Sequence, residues 1–425
     1  MNRLLHPVWW LLGYRGIPLM SRPTFRREMI NAVFLGLAVG VMGPDFAQLF
    51  ARKSLRAPPT LVATIAAVFW TGNLFGAFIG PYLQRRRRIR YGVAARLVIA
   101  LVLLAVAALP PDRRGAAPFV AMLVVPFALN AVILNVRSGL WHTNYPTGIR
   151  GQIFSRRFII AATATLTAAA LAGRALDAWP WAHRLIYPLA GACMLASAAS
   201  YSRIRIRREA NIRRASRLRP FHILEGFRLL REDPDYCRFM AWQMLSGCAV
   251  LMTFPVITLA LVDVFGVSYK AGTTALTVVP MLVALGVAPL SGRLFDTLGI
   301  TRFRAIGSAL WASSRTVMFA ALLTGSWACV MLAASVHGAA RATGGLAFAI
   351  GHTHFAKPHR SQVYMGIHMT LQGLRGLTMP FIGVWLYHLD QVGIHLLWIS
   401  AAVQFIAAAG FALSPAPDKA TRKHL

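Results

Sequence analysis

Twelve apolar stretches of about 20 residues constrain this sequence more than any other feature. That length is what a helix needs to cross the hydrocarbon layer of a bilayer, and a backbone inside lipid must satisfy its own hydrogen bonds, so each stretch is predicted to be a helix. The predicted spans are 29–50, 60–83, 93–110, 117–139, 158–176, 185–202, 237–262, 271–292, 303–324, 327–350, 362–387 and 392–413. Only 14% of the residues are charged, against about 25% in soluble domains. The sequence therefore predicts an all-α membrane protein.

The basic residues predict how the chain is oriented. The net charge of +32 would suggest a nucleic-acid partner in a soluble protein. Here the arginines lie in short runs between apolar stretches, so we expect membrane lipids around the chain and no nucleic acid. An even number of spans puts both termini on one side, and most basic loops fall on that side. We therefore predict a multi-pass protein of the cell inner (cytoplasmic) membrane with both termini cytoplasmic.

The chain also contains an internal repeat. HTNYPTGIRGQ at 142–152 returns in altered form as HTHFAKPHRSQ at 352–362, in each case in the loop after the fourth span of a half. Pro44 and Pro255 fall in the first span of each half at nearly the same offset, and each is predicted to lie inside a helix. Two six-helix parallel repeats are thus expected, with a substrate site where they meet near the middle of the membrane.

Five segments follow from the spans and the repeat. They are an N-terminal cytoplasmic or interfacial segment 1–28, a six-helix bundle 29–202, a basic cytoplasmic linker 203–236, a second six-helix bundle 237–413 and a cytoplasmic tail 414–425. Within the linker, Phe221, Leu224 and Phe227 have the spacing of an amphipathic helix that lies on the inner membrane surface. The linker either binds anionic lipid or a partner or is a solvated segment that fixes topology.

One loop carries a family resemblance. The sequence SGRLFDTLGITRFR, after the second span of the second half, resembles the loop signature of the major facilitator superfamily; the matching residues are Gly292, Leu294, Asp296, Gly299 and Arg302. The first-half counterpart is GPYLQRRRRIR, in which Gly80 is kept but Gln84 stands where the family has an aspartate. The resemblance implies the major facilitator fold and a gating contact at this loop. In the first copy, Gln84 makes that contact uncharged and weaker.

The resemblance also implies what the chain does. Members of the superfamily are secondary or facilitative transporters that move a small solute by alternating access, and we expect a monomer. We expect no enzyme, because no span carries paired carboxylates, a Ser-His-Asp set or a cluster of metal ligands. We expect no cofactor and no metal site. A transporter-like receptor or scaffold that acts through the basic linker is the alternative.

Charged residues within the spans indicate the site, since a charge at bilayer depth is costly and usually functional. Arg341 and Arg375 fall near the middle of the tenth and eleventh spans, and the resemblance implies that both face a central cavity. His337 precedes Arg341 by one helical turn, and His368 precedes Arg375 by two. These four residues predict a cationic substrate site for an organic or phosphate-type anion. Alternatively, the arginines have a structural role and donate hydrogen bonds to backbone carbonyls or to Asp45.

Two further assignments concern charge balance and gating. Asp45 is the one acid that falls inside a predicted span, and we expect it to act as a coupling residue or counter-ion. Arg315 lies on a span that is outer scaffold in the superfamily, so we expect it to pack. The repeated motif supplies gating residues at the cytoplasmic mouth, where the matching positions are Arg150, Gln152, Arg360 and Gln362.

Overall fold

The computed structural model describes residues 16–84, 86–146, 149–207, 209–210, 223–355 and 361–415, and within these ranges the regular structure is helical with no strand. The helices of the first half are Arg22–Met42, Pro44–Lys53, Pro59–Gln84, Arg88–Val106, Arg113–Asn144, Arg150–Ala178 and His183–Ser202. The helices of the second half are Pro234–Asp263, Tyr269–Thr273, Val279–Thr324, Trp327–Ile350, Ser361–Tyr387 and His395–Leu413. The short helix Ile223–Glu232 precedes them, in the predicted amphipathic segment of the linker.

All twelve predicted spans correspond to helical segments, so the predicted fold class is confirmed. By length and hydropathy alone, eight segments of the described chain could cross a membrane, and one of them, Tyr269–Thr324, has 56 residues. That length is enough for two crossings of about 20 residues each. It contains the eighth and ninth spans, which a break at Gly299 separates.

Gly299 makes the turn between the eighth and ninth spans. Its backbone has φ 74° and ψ 171°, although helical hydrogen bonding continues on both sides of it. A positive φ costs an L-residue with a Cβ atom about 1–2 kcal/mol, whereas glycine adopts it freely. The positive φ of this turn therefore favours glycine at this position of the loop signature.

The helix of the first span is interrupted just before Pro44, a residue that the sequence predicted to lie inside a helix. Gly43 is extended, with φ −60° and ψ 153°, so that Arg22–Met42 ends and Pro44 begins a new helix. Proline fits the first turn of a helix because it lacks the N–H that is unsatisfied there. The prediction that Pro44 lies inside a helix is wrong, whereas Pro255 does lie inside Pro234–Asp263.

The helices form two compact units. The first comprises Met1–Gly43, Phe78–Leu109 and Ala121–Arg219, and the second comprises Pro44–Ala77, Pro110–Val120 and Pro220–Leu425. The segment that begins at Pro44 thus belongs to the unit that contains the last six spans. The compact units are therefore not simply the two halves of the repeated sequence.

Small residues bring two helices of the first unit together. A Cβ atom on Gly36 would lie 2.5 Å from the carbonyl oxygen of Ala161, and one on Gly40 would lie 2.5 Å from that of Thr165. The Thr165 hydroxyl donates to the carbonyl of Gly36 at 3.1 Å. Small residues four apart are a common way to pack helices closely in membranes, and they fix the first span against the fifth.

Candidate functional site

An ion pair joins the first and tenth spans within the second unit. Arg341 Nη1 donates to Asp45 Oδ2 at 3.3 Å. The two side chains are 34% and 18% exposed, respectively. Asp45 lies in the first turn of Pro44–Lys53, where the helix dipole favours a carboxylate. The alternative in which Asp45 accepts from this arginine is therefore present, as a single long hydrogen bond between partly exposed side chains.

Asp45 also lines a pocket inside the second unit. The seventh to tenth spans supply the rest of its wall, including Phe254, Thr258, Arg315 and His337. The His337 ring lies edge-on to Phe254, with centroids 6.0 Å apart. The pocket therefore combines apolar walls with a carboxylate, a guanidinium and an imidazole around a cavity of about 20 Å³, far smaller than the pockets that hold drug-sized ligands.

Arg315 packs inside the second unit and also lines the pocket. Its side chain is 1% exposed, and the expectation from the sequence was packing alone, without a place on the pocket wall. Its Nε donates to Thr253 Oγ1 at 2.7 Å, and its Nη1 lies 3.4 Å from His337 Nδ1. His337, which the sequence paired with Arg341, thus contacts Arg315.

Arg375 and His368 do not line this pocket. Arg375 is 5% exposed, and its Nη1 donates to the backbone carbonyl of Gln243. The guanidinium lies against Gly247, where a Cβ atom would be 2.2 Å from the Arg375 Cζ. His368 is buried with its ring edge-on to Phe348. The carbonyl contact matches the alternative in which the backbone satisfies this arginine.

The first unit contains a buried acid that the sequence analysis did not identify. Glu28 is 1% exposed and accepts from Tyr145 Oη at 2.6 Å and from Trp141 Nε1 at 2.8 Å. The predicted first span began at residue 29, but the helix begins at Arg22 and includes Glu28. The expectation that Asp45 is the one acid within a span is therefore wrong.

The end of the first span is tied to the seventh and eighth spans. Arg52 donates from Nε and Nη2 to the two carboxylate oxygens of Asp263, at 2.8 and 2.9 Å. Lys53 Nζ donates to the carbonyl of Val267 at 2.7 Å, and the Ser54 and Tyr269 hydroxyls are 2.5 Å apart. These polar contacts close one end of the second unit around the segment that carries Asp45.

The predicted gating residues are only partly described. Arg150 Nε donates to the carbonyl of Tyr145 at 3.0 Å, and Gln152 is exposed. Arg360 lies outside the described residues, and Gln362 lies in a helix with its side chain undescribed. The Arg150 contact ties the loop after the fourth span to the start of the fifth.

The residues of the loop signature lie at helix ends. Gly80 and Gln84 belong to Pro59–Gln84, where the Gln84 side chain is not described. Gly292 and Asp296 lie on the eighth span before Gly299, and Arg302 follows it. Asp296 and Arg302 are both exposed, so the second copy of the signature presents its charges at the surface.

Comparison with known proteins finds one family model that matches most of the chain. Residues 29–378 match the family model described as Major Facilitator Superfamily. None of the curated proteins matches the chain. These matched residues include 350 of the 425 positions and contain both Asp45 and Arg341.

Solved structures of low sequence identity share the fold. A mutant of the nucleoside transporter NupG is 12% identical, with a TM-score of 0.73 over 91% of this chain and 98% of that one. The xylose transporter XylE from E. coli, in a partially occluded inward-open conformation, is 13% identical, with a TM-score of 0.68 over 94% and 98%. A POT family transporter in complex with a thioalcohol-conjugated peptide is 11% identical, with a TM-score of 0.70 over 93% and 97%.

Proposed function

Because this chain belongs to the major facilitator superfamily, we propose that it transports a small anionic solute across the cytoplasmic membrane by alternating access. The protein acts as a monomer with both termini in the cytoplasm, the orientation that its basic loops favour. The solute is an organic or phosphate-type anion. The nucleoside, xylose and peptide transporters that share its fold do not identify the solute, so the class of solute is argued from the charges of the site.

The Asp45–Arg341 pair carries this proposal. A guanidinium presents a planar fork of donors that matches a carboxylate or a phosphate, yet Asp45 uses one donor of that fork at 3.3 Å. An arriving anion can replace the carboxylate of Asp45 by making two shorter bonds to Arg341. Asp45 is then free to take a proton or to move with its helix, which supplies a coupling step.

The pocket charges favour an anion over a cation. Arg315 and Arg341 bring two positive charges to this region, and Asp45 brings one negative charge. The remaining positive charge lies in an apolar setting, where an uncompensated ion costs several kcal/mol. A solute with a negative charge lowers that cost, whereas a cation raises it.

Arg375 and His368 take a smaller part in the proposed site. Arg375 has a backbone acceptor in Gln243, and both residues lie away from the pocket of Arg315 and His337. They form a second basic region of the second bundle that contacts the solute at another stage of the cycle. Arg341 and His337 remain the principal substrate-binding residues.

A ligand screen followed by a transport assay tests the proposed function. Purified protein is heated with organic anions, phosphates, sugars and amines in turn, and a bound ligand raises the midpoint of unfolding. The stabilising compounds are then assayed for uptake into proteoliposomes. We expect anions to stabilise the protein and to be taken up.

The outcomes separate the possible functions. Stabilisation by sugars or amines alone contradicts an anionic solute. Stabilisation by an anion without uptake favours the receptor or scaffold that acts through the basic linker. Arg174→Gln is the matched control for substitutions of Arg341. Arg174 is exposed on the fifth span, so its replacement removes a positive charge from a different part of the chain.

A further inference from the structure

Arg315 has a donor that no protein group uses. It is 1% exposed, and three of its contacts are accounted for by Thr253, Ser314 and His337. Its Nη2 is buried and makes no hydrogen bond to any residue that the structure describes. A buried donor without an acceptor costs about 1–3 kcal/mol, and more when it is charged. Arg315 is also among the residues that line the pocket, so a group bound in the pocket lies within reach of this side chain.

Arg315 also has no acid of its own. Among the described residues that line the pocket, Asp45 is the one carboxylate, and its hydrogen bond goes to Arg341. Two arginines therefore share one acid. The guanidinium of Arg315 is partly stabilised by the face of Trp311, with Cζ 5.3 Å from the ring centroid, which is weaker compensation than an anion gives.

His337 supplies a second donor beside Arg315. Arginine can only donate, so the 3.4 Å contact between Arg315 Nη1 and His337 Nδ1 makes Nδ1 the acceptor. A neutral imidazole that accepts at Nδ1 carries its proton on Nε2. The pair thus offers an arginine N–H and an imidazole N–H on the wall of one pocket, together with the Thr258 side chain.

We propose that Arg315 and His337 form an anion-binding subsite that lies within the second unit and holds a single carboxylate or phosphate group. The substrate class comes from the proposed function, on which this inference rests. The anionic group is either that of the transported solute or that of a separate inorganic ion. In both cases it supplies the counter-ion that Arg315 lacks.

Binding of inorganic phosphate and acetate to the full-length protein in detergent tests the subsite. Thermal unfolding is followed at constant ionic strength, with the bulky HEPES anion replaced stepwise by phosphate or acetate. Arg315→Gln should weaken binding by about tenfold or more, because it removes the charge and the fork. Arg315→Lys keeps the charge and should lose less. His337→Gln should weaken binding severalfold.

Asp45→Asn keeps the test decisive if loss of Arg315 prevents folding. It is made in an Arg341→Gln background, so that no freed Arg341 binds the phosphate. It removes the negative charge that repels an anion in the same pocket, so phosphate should bind several times more tightly than to Arg341→Gln alone. Arg304→Gln is the matched control, since Arg304 is 4% exposed on the same span but does not line the pocket. It should lower the unfolding midpoint and leave the phosphate-induced shift unchanged.

Two results would overturn the subsite. One is an equal phosphate-induced shift in wild type and Arg315→Gln, and the other is weaker binding of phosphate by Asp45→Asn with Arg341→Gln than by Arg341→Gln alone. A competition experiment identifies the source of the anion: a transported organic anion that competes with phosphate fills the subsite with its own charged group, and additive stabilisation assigns the subsite to a separate inorganic ion.

The same variants separate this inference from the proposed function. If phosphate binds through Arg315 and the protein takes up no anion, the transport proposal fails and the subsite stands. If anions are taken up and Arg315→Gln changes neither phosphate binding nor the KM of uptake, the subsite fails and the transport proposal stands.

Discussion

Arg52 and Asp263 occupy equivalent positions of the two repeats and bind each other through two parallel hydrogen bonds. The separation of 211 residues between them is also the separation between Pro44 and Pro255 in the sequence. One repeat thus ends its first helix with a base, and the other ends the matching helix with an acid. At this position the two repeats carry opposite charges, and the two side chains form an ion pair.

Reversing this pair should impair and then restore transport. Arg52→Asp places two acids together and should reduce uptake severalfold. The double variant Arg52→Asp with Asp263→Arg restores an ion pair and should recover most of the rate. The pair is about one quarter to one third exposed, so we expect the stability change of each single variant to be about 1 kcal/mol or less. Failure of the double variant to recover would show that the loss of this ion pair does not cause the reduced uptake.

Substitution of Arg341 tests the proposed site directly. Arg341→Lys keeps the charge but loses the fork, so an anionic ligand should bind about tenfold more weakly. Arg341→Ala should abolish binding of that ligand while the protein remains folded in detergent. Ligand titration by thermal shift measures both effects. Wild-type binding and uptake by Arg341→Ala would contradict the assignment of this residue to the site.

Gly299 should be intolerant of substitution for a reason of backbone geometry. Gly299→Ala forces a residue with a Cβ atom into a backbone with φ 74°, which should destabilise the protein by about 1–2 kcal/mol. Gly292→Ala is the control, because a Cβ atom there meets nothing within 4 Å. A comparison of unfolding midpoints tests the prediction, and equal midpoints for the two variants would contradict it.

Gly247 should be required by the size of the Arg375 side chain. A Cβ atom at this position would lie 2.2 Å from the Arg375 Cζ, so Gly247→Ala should displace the end of the Arg375 side chain from the Gln243 carbonyl and destabilise the protein by about 1 kcal/mol. Arg375→Ala removes the overlap, and the double variant should therefore lose less than the sum of the two single variants. Additive losses in a double-mutant cycle would show that the glycine serves another purpose.

The sequence predicts the helices well because lipid leaves few alternatives. Apolar length determines the spans, and the glycine of the loop signature determines the turn at Gly299. Asp45 and Arg341 could be paired from the sequence because the spans contain few charges, and a buried charge needs a partner. Each of these inferences depends either on a local stretch of sequence or on charged residues, which are rare in the spans.

The missed residues depend on how the helices are rotated and where they end. Whether Arg315 points toward lipid, a neighbouring helix or a pocket is decided by the rotation of the ninth span, which its own hydropathy does not determine. Glu28 was missed because the helix continues seven residues before the apolar stretch begins. The sequence signal for this site is Glu28 in the polar residues just before the apolar stretch, together with Trp141 and Tyr145 as hydrogen-bond donors later in the chain.

The interruption at Gly43 has a consequence for the ion pair of Asp45. The chain passes from the first compact unit to the second between Gly43 and Pro44, and returns to the first between Ala77 and Phe78. The return lies inside the continuous helix Pro59–Gln84. The first crossing lies at the break in the helix at Gly43. Asp45 lies two residues beyond this break, in the same unit as Arg341, so their ion pair is a contact within one unit and does not span the break.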